Sequence, residues 1–265
     1  MSVRTPSTPG PHFSGIPLES DPEIFTDILH AISVKSLQLQ DLISLDAEEL
    51  KSLLPGPVHA LILIHSTTKE YEDDIWKARQ DARDAGLGYD GHGSDEPVIW
   101  FEQTIRHACG FMALLHAVAN LEKDVIGGRH SSPQGWRLTE TIDPTSHLAT
   151  LLNAALPLHP PERAELLKSS ASLGEIYTAA STRGTSTILR AEDETPGHYL
   201  CFVPSPRNGH IYELDGGKNG PVDHDEWLGG DRDILSGGLK LVKEFIENRT
   251  DKENPHCHVM ALVDL

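Results

Sequence analysis

Five short apolar runs constrain this chain most: "HALILIH" (59–65), "VIWF" (98–101), "HYLCFV" (198–203), "HIYELD" (210–215) and "HVMALVDL" (258–265). Each has the length of a buried strand rather than of a helix. Stretches with helical signals separate them. In "SDPEIFTDILHAI", Ser20 or Asp21 can cap a helix, Pro22 suits its first turn, and Ile24, Ile28 and Ile32 repeat at helical spacing. "LDAEELKSLL" begins a second helix after Asp46, and Thr67 to Ala85 is charged and helical. "PPERAELLKSS", "GEIYTAAS" and "LKLVKEFIENR" read as further helices, and "GLGYDGHGSDEP" as a loop. No internal repeat and no Gly/Ser- or Pro-rich linker divides the 265 residues. One mixed α/β domain is therefore predicted over 13–265, behind a disordered lead-in at 1–12 rich in Pro, Ser, Thr and Gly.

Composition narrows what such a domain can do. The net charge of −18 argues against a nucleic-acid partner, since phosphate binding needs clustered Lys and Arg. It would steer a basic protein partner toward the surface. No stretch has the length and apolarity of a membrane span, and the first residues carry no apolar signal core, so no membrane partner is expected. Three cysteines without a CxxC pair exclude a disulfide framework and a zinc ribbon. A reducing location is expected, the cytoplasm with the nucleus as a second site.

Of the three cysteines, Cys201 lies inside an apolar run and Cys257 in "HCH", where two histidines lack a third ligand; both are read as packing residues, with no metal. Cys109 differs. In "EQTIRHACGFMALLHAVAN" (102–120) the helical pattern starts at Gly110, which puts Cys109 at a helix N-terminus. Unpaired N–H groups and the helix dipole favour a thiolate there, the nucleophilic form. Gln103 supplies a side-chain amide that, with the Cys109 N–H, could donate to an oxyanion.

A thiolate nucleophile needs a histidine. His116 is seven residues on, about 10.5 Å along the axis, and is read as a core-facing residue. His107 is near in sequence without an evident carboxylate. His198 has one. A hairpin of "HYLCFV" and "HIYELD" closed by Pro204–Gly209 pairs Phe202 with Ile211, Cys201 with Tyr212 and His198 with Asp215. Directly opposed Cβ atoms lie about 4.5–5.5 Å apart, near enough for the carboxylate to orient the imidazole and stabilise its charge.

These segments, with "GHIYELDGGKNGPV", "IPLESDPEIFTDIL" and "ALILIHSTTKEYE", resemble the ubiquitin C-terminal hydrolases, a family of papain-like cysteine proteases, from about Phe13 to the end of the chain. The resemblance implies a papain-like α-β-α fold, a mostly antiparallel sheet flanked by helices with a knotted backbone. It implies that Cys109 is the nucleophile, His198 the general base and acid, Asp215 its orienting partner and Gln103 the oxyanion donor. Ubiquitin is the implied partner of a monomeric enzyme that needs no cofactor. A NEDD8-like modifier is the alternative substrate, and an acyltransferase or a ubiquitin-binding pseudoenzyme the more distant readings. His107 stands where the family usually has asparagine, and the C-terminal extension of proteasome-associated members is expected to be absent. The segment from Ala180 to Gly197, including Thr187, corresponds to a loop that arches over the family's cleft. Its eighteen residues have a contour of about 60 Å, enough to pass an extended tail or a helix but not a folded domain.

Overall fold

The computed structural model describes residues 12–121, 145–184, 197–249, 253 and 256–265. The disordered lead-in expected at 1–12 thus falls, except for its last residue, outside the described residues.

Local signals set the helices where the sequence carries them. Helix α1 (Pro22–Ala31) is capped by the Asp21 carboxylate, which accepts from the Glu23 N–H, and turns Ile24, Phe25, Ile28 and Leu29 inward. Asp46 caps α2 (Ala47–Lys51), and the Thr68 hydroxyl caps the exposed, charged α3 (Lys69–Asp84). Helix α4 (Cys109–Ala119) is apolar all round and buried at every residue. Helices α5 (His147–Ala155), α6 (Pro160–Lys168) and α7 (Ala171–Ser181) follow. The last two are the short α8 (Asp225–Leu228) and α9 (Ile234–Arg249).

Six strands form one antiparallel sheet: β1 (Leu37–Asp41), β2 (Val58–Ser66), β3 (Gly197–Pro204), β4 (Ile211–Leu214), β5 (Val222–Asp223) and β6 (Cys257–Asp264). Their order is β1-β6-β2-β3-β4-β5, so the last strand of the chain lies between the first two. Alternate side chains feed two cores. Ala60, Ile62, Tyr199, Cys201, Val203, Met260 and Leu262 face the core that contains α1 and α4. Leu61, Leu63, Leu200, Phe202, Val259, Ala261 and Val263 face α9. This two-sided burial is the layered α/β arrangement expected from the sequence.

Two expectations are corrected. Among the described residues "VIWF" pairs with no strand; it runs beside α4, and side chains satisfy its backbone. Asn120 receives the Ile99 N–H at 2.7 Å and donates to the Ile99 carbonyl at 2.9 Å. His116 Nε2 faces the Phe101 N–H at 2.9 Å. The β3–β4 register is also shifted: Cys201 pairs with Leu214, Phe202 with Glu213 and Val203 with Tyr212, rather than Phe202 with Ile211. The slip is two residues, an even number, so every side chain keeps its face.

Candidate active site

The even slip decides the fate of the His–Asp pair. Asp215 lies diagonally across from His198 rather than opposite it, but on the same face, and its Oδ1 meets His198 Nε2 at 2.9 Å. Asp215 is 1% exposed, with Oδ1 also accepting the Gly217 N–H at 2.7 Å. The Trp100 indole N–H fixes its backbone carbonyl at 3.0 Å. With Nε2 committed to the carboxylate, Nδ1 is the ring nitrogen left for other chemistry. The Cys109 thiol lies close enough to this ring to help raise its pKa.

Electrostatics separate His198 from the other buried histidines of the site. Burial alone would lower its pKa, but the charge and hydrogen bond of Asp215, with the Cys109 thiol, hold it well above the usual imidazole value. Asp215 shows the converse: burial opposes its charge, and His198 and Lys218 outweigh that and hold the carboxyl below its ordinary range. His65 and His116 have no such partner. His65 stands opposite His198 across the β2–β3 ladder, its ring edge-on at 6.1 Å and packed on Phe245 at 4.6 Å. Burial, then the neighbouring His198, lowers its pKa to about 4. His116, fully buried against Phe101, is likewise lowered to about 4 by burial. Both are neutral near pH 7. Only His198 holds its proton there, so it is the one built to pair with a thiolate.

Cys109 is the first residue of α4, as the pattern predicted. Residue 108 is alanine, and no side chain caps the helix, so its first N–H groups point at the thiol end unclaimed by a cap. Gly110 permits the placement: a Cβ there would lie 3.2 Å from the Phe25 ring and 3.5 Å from Tyr199. His107 turns the chain into the helix with φ +56°, the left-handed region in which Asn and His are enriched. Histidine is among the residues that tolerate that conformation. The Tyr177 hydroxyl donates to the His107 carbonyl at 3.1 Å and holds the turn.

Gln103 sits beside the acid loop. Its backbone N–H donates to the Gly216 carbonyl at 2.9 Å, and its side-chain Nε2 to the Ile105 carbonyl at 3.2 Å. The approach is so close that a Cβ on residue 216 would lie 2.9 Å from the Gln103 Cβ. Glycine is required there for steric reasons. The Val98–Gln103 segment thus positions Gln103 on one side and, through Trp100, Asp215 on the other.

Sequence reasoning missed the residues that tie these parts together. Arg79 of α3 donates from one guanidinium nitrogen to the carbonyls of Gly216 and Gly217, at 3.4 and 3.3 Å, and from the other to Glu102. Glu102 is buried and also meets Arg83 at 2.5 Å. The only local signal was the adjacency of Glu102 to Gln103; a surface-patterned helix such as α3 gives no hint of an inward guanidinium. Arg163 is a second such residue, fully buried and paired with Glu96 at 2.6 Å.

Cys201 matches its packing role: it is fully buried and its thiol pKa is pushed well up by burial. Cys257 does not. It is exposed at the start of β6, although partial burial still raises its pKa. Of the loop expected to arch over the site, Ala180 belongs to α7 and Gly197 opens β3, while Thr187 lies outside the described residues.

Comparison with known proteins places this geometry. Residues 16–248 match the profile of ubiquitin carboxyl-terminal hydrolase, family 1. A ubiquitin carboxyl-terminal hydrolase of Aplysia californica is 29% identical over 234 residues, 87% of this chain and 94% of that protein. A probable ubiquitin carboxyl-terminal hydrolase of Dictyostelium discoideum is 28% identical over 249 residues, 94% of this chain and 87% of that protein. The human isozyme L1 is 26% identical over 232 residues, 87% and 91% of the two chains. Among solved structures, the Trichinella spiralis UCH37 catalytic domain bound to ubiquitin vinyl methyl ester shares the fold. Its TM-score is 0.61 at 24% identity, covering 94% of this chain and 95% of that one.

Proposed function

Because the chain belongs to the ubiquitin carboxyl-terminal hydrolase family 1, we propose that its site hydrolyses adducts from the C-terminal glycine of ubiquitin through a thioester at Cys109. The observation that carries this reading is a cysteine on an uncapped helix N-terminus, beside a histidine whose charge Asp215 maintains. The Cys109 thiolate attacks the glycine carbonyl carbon and the carbonyl π pair moves onto oxygen. The Gln103 amide, whose second N–H is not used by the Ile105 carbonyl, and the Cys109 N–H are the proposed donors to that oxyanion. On collapse the C–N or C–S bond to the adduct breaks, and the His198 imidazolium gives its proton to the leaving amine or thiolate. His198, now neutral, takes a proton from water as the water attacks the thioester. Collapse of the second tetrahedral species returns Cys109 and a free ubiquitin carboxylate. No step requires a cofactor.

Adduct size follows from chain length. Fifteen residues connect Ser181 to Gly197, a contour of about 50 Å, so any opening they span admits an extended tail and not a folded domain. Amines, thiols, short peptides and unfolded extensions are the expected leaving groups. A thiolate nucleophile works only while reduced, which fits a cytoplasmic setting.

The test compares ubiquitin– and NEDD8–fluorophore conjugates, folded diubiquitin and an electrophilic ubiquitin probe. Rapid release from the ubiquitin conjugate, slow cleavage of folded diubiquitin and labelling lost in Cys109→Ala are expected. Preference for the NEDD8 conjugate would reassign the substrate, and labelling that survives Cys109→Ala would remove the nucleophile. Since Cys257 is exposed and Cys109 is buried, labelling of Cys109 alone would show that the probe does not select by exposure.

A further inference from the structure

A cluster at the start of α6 has no part in this chemistry. Asp90 and His92 lie in the connection between α3 and the Val98–Gln103 segment, and His159 immediately precedes α6. One ligand atom from each lies within 4.8 Å of the others. His159 Nδ1 meets Asp90 Oδ1 at 2.6 Å, and the two imidazole rings lie 3.9 Å apart. Two imidazoles and one carboxylate are the donor set of a three-ligand zinc site, with a fourth position open to water.

We propose that Asp90, His92 and His159 bind a divalent transition-metal ion, Zn2+ best matching the donor set. His92 Nδ1 is engaged at 2.9 Å with the Asp90 backbone carbonyl, an acceptor, so Nδ1 carries the hydrogen and Nε2 keeps its lone pair. A second hydrogen bond that fixes the tautomer in this way is how metal-ligating histidines are commonly oriented. His159 Nδ1 and Asp90 Oδ1 now share a proton. The ion takes its place, the proton passes through solvent to His159 Nε2 so that the ring binds as neutral imidazole, and the pair opens to the ~3.3 Å that two ligands at about 2.0–2.1 Å require in tetrahedral geometry. Both side chains are substantially exposed, at 43% and 72%, so neither is prevented from moving by packing.

The backbone beneath is anchored. The Gly93 N–H donates to the Leu156 carbonyl at 2.7 Å, which ties the connection to the end of α5. Glu96 is held by Tyr89 at 2.8 Å and by the fully buried Arg163 of α6. The Glu162 carboxylate accepts the His159 N–H at 3.1 Å and fixes that residue at the helix start. Both halves of the site therefore rest on one ion-paired base, and the charge of −18 favours cation capture. The bound ion would staple the connection that leads into Gln103 to the start of α6.

The experiment uses the full, untagged chain carrying Cys109→Ser, which removes the catalytic thiol as a competing ligand. Co2+ is titrated as a spectroscopic stand-in for Zn2+, and thermal unfolding is recorded with and without Zn2+. One Co2+ per chain, visible d–d bands without a near-ultraviolet thiolate-to-cobalt transition, and a Zn2+-dependent rise in Tm are expected. His92→Ala, which removes one ligand and leaves the His159–Asp90 pair in place, and His159→Ala should each weaken binding at least about tenfold. In the Cys109-containing enzyme, His92→Ala should retain full hydrolase activity, which separates this site from the catalytic one. Absence of saturable binding, parent affinity in either variant, or binding with a thiolate transition would overturn the proposal.

Discussion

Replacing Asp215 with asparagine removes one charge and little volume, and the geometry sets the cost. His198 Nε2 lies 2.9 Å from Asp215 Oδ1, so the charge centres are about 4 Å apart. At the effective dielectric of about 20 that suits protein sites, the attraction is about 4 kcal/mol, and losing it lowers the His198 pKa. The His198 side chain is 20% exposed, and solvent screens part of that attraction. A weaker base holds less of the thiolate–imidazolium pair with Cys109, and at about 1.4 kcal/mol per factor of ten kcat/KM near pH 7 should fall roughly 10²–10³-fold. The alkaline limb of the pH–rate profile, which reports loss of the His198 proton, should move to lower pH. Rates on a ubiquitin–fluorophore conjugate from pH 5 to 10 measure both. A stability signature accompanies them. His198 has a raised pKa in the fold, so its contribution is complete below the unfolded value of about 6.5 and is lost as pH rises through the folded value. Asp215 has a depressed pKa, so its contribution is present above about 4 and is lost as pH falls through the folded value. The stability gap between the parent and Asp215→Asn should therefore be widest between these limits and narrow at alkaline pH. An Asp215→Asn enzyme with the parent's rate and an unshifted alkaline limb would refute the assignment of His198 and Asp215 as a working pair.

Gln103→Ala should lower kcat about 10²–10³-fold with KM little changed, since an oxyanion donor acts mainly in the transition state; a KM effect alone would make the amide a binding group. Arg79→Met frees the Gly216–Gly217 loop from α3, and kcat/KM should drop about 10–10²-fold as Asp215 and Gln103 lose their common anchor. Arg79→Lys should recover part of that loss, and equal rates in parent and Met variant would rule the anchor out. At the left-handed position 107, His107→Asn should unfold like the parent, while His107→Val should cost about 1–2 kcal/mol, read as a lower Tm. Gly216→Ala should impair activity more than folding, because the new methyl meets Gln103 first.

Much of the fold was legible in short-range pattern. Asp21, Asp46 and Thr68 cap the helices that follow them because a carboxylate or hydroxyl satisfies free N–H groups two or three residues on, a relation contained in local sequence. The same locality placed Cys109 at the start of α4, and short continuous apolar runs marked the strands that feed both cores. Tertiary structure decided what depends on distant partners. "VIWF" has the composition of a strand, yet Asn120 and His116, about twenty residues away, take its backbone hydrogen bonds and no described strand pairs with it. The hairpin register was two residues off because apolar pairs matched both alignments, and only packing of β3 against β2 and of the Asp215 loop against Trp100 and Gln103 distinguishes them. The His198–Asp215 contact survived that error because side-chain orientation repeats every two residues. Arg79–Glu102 and Asp90–His92–His159 join segments far apart in the chain, and no local period encodes them. Propensity and capping are properties of neighbours in sequence; convergence of charges and ligands is a property of the assembled sheet and helices, where proximity replaces order along the chain.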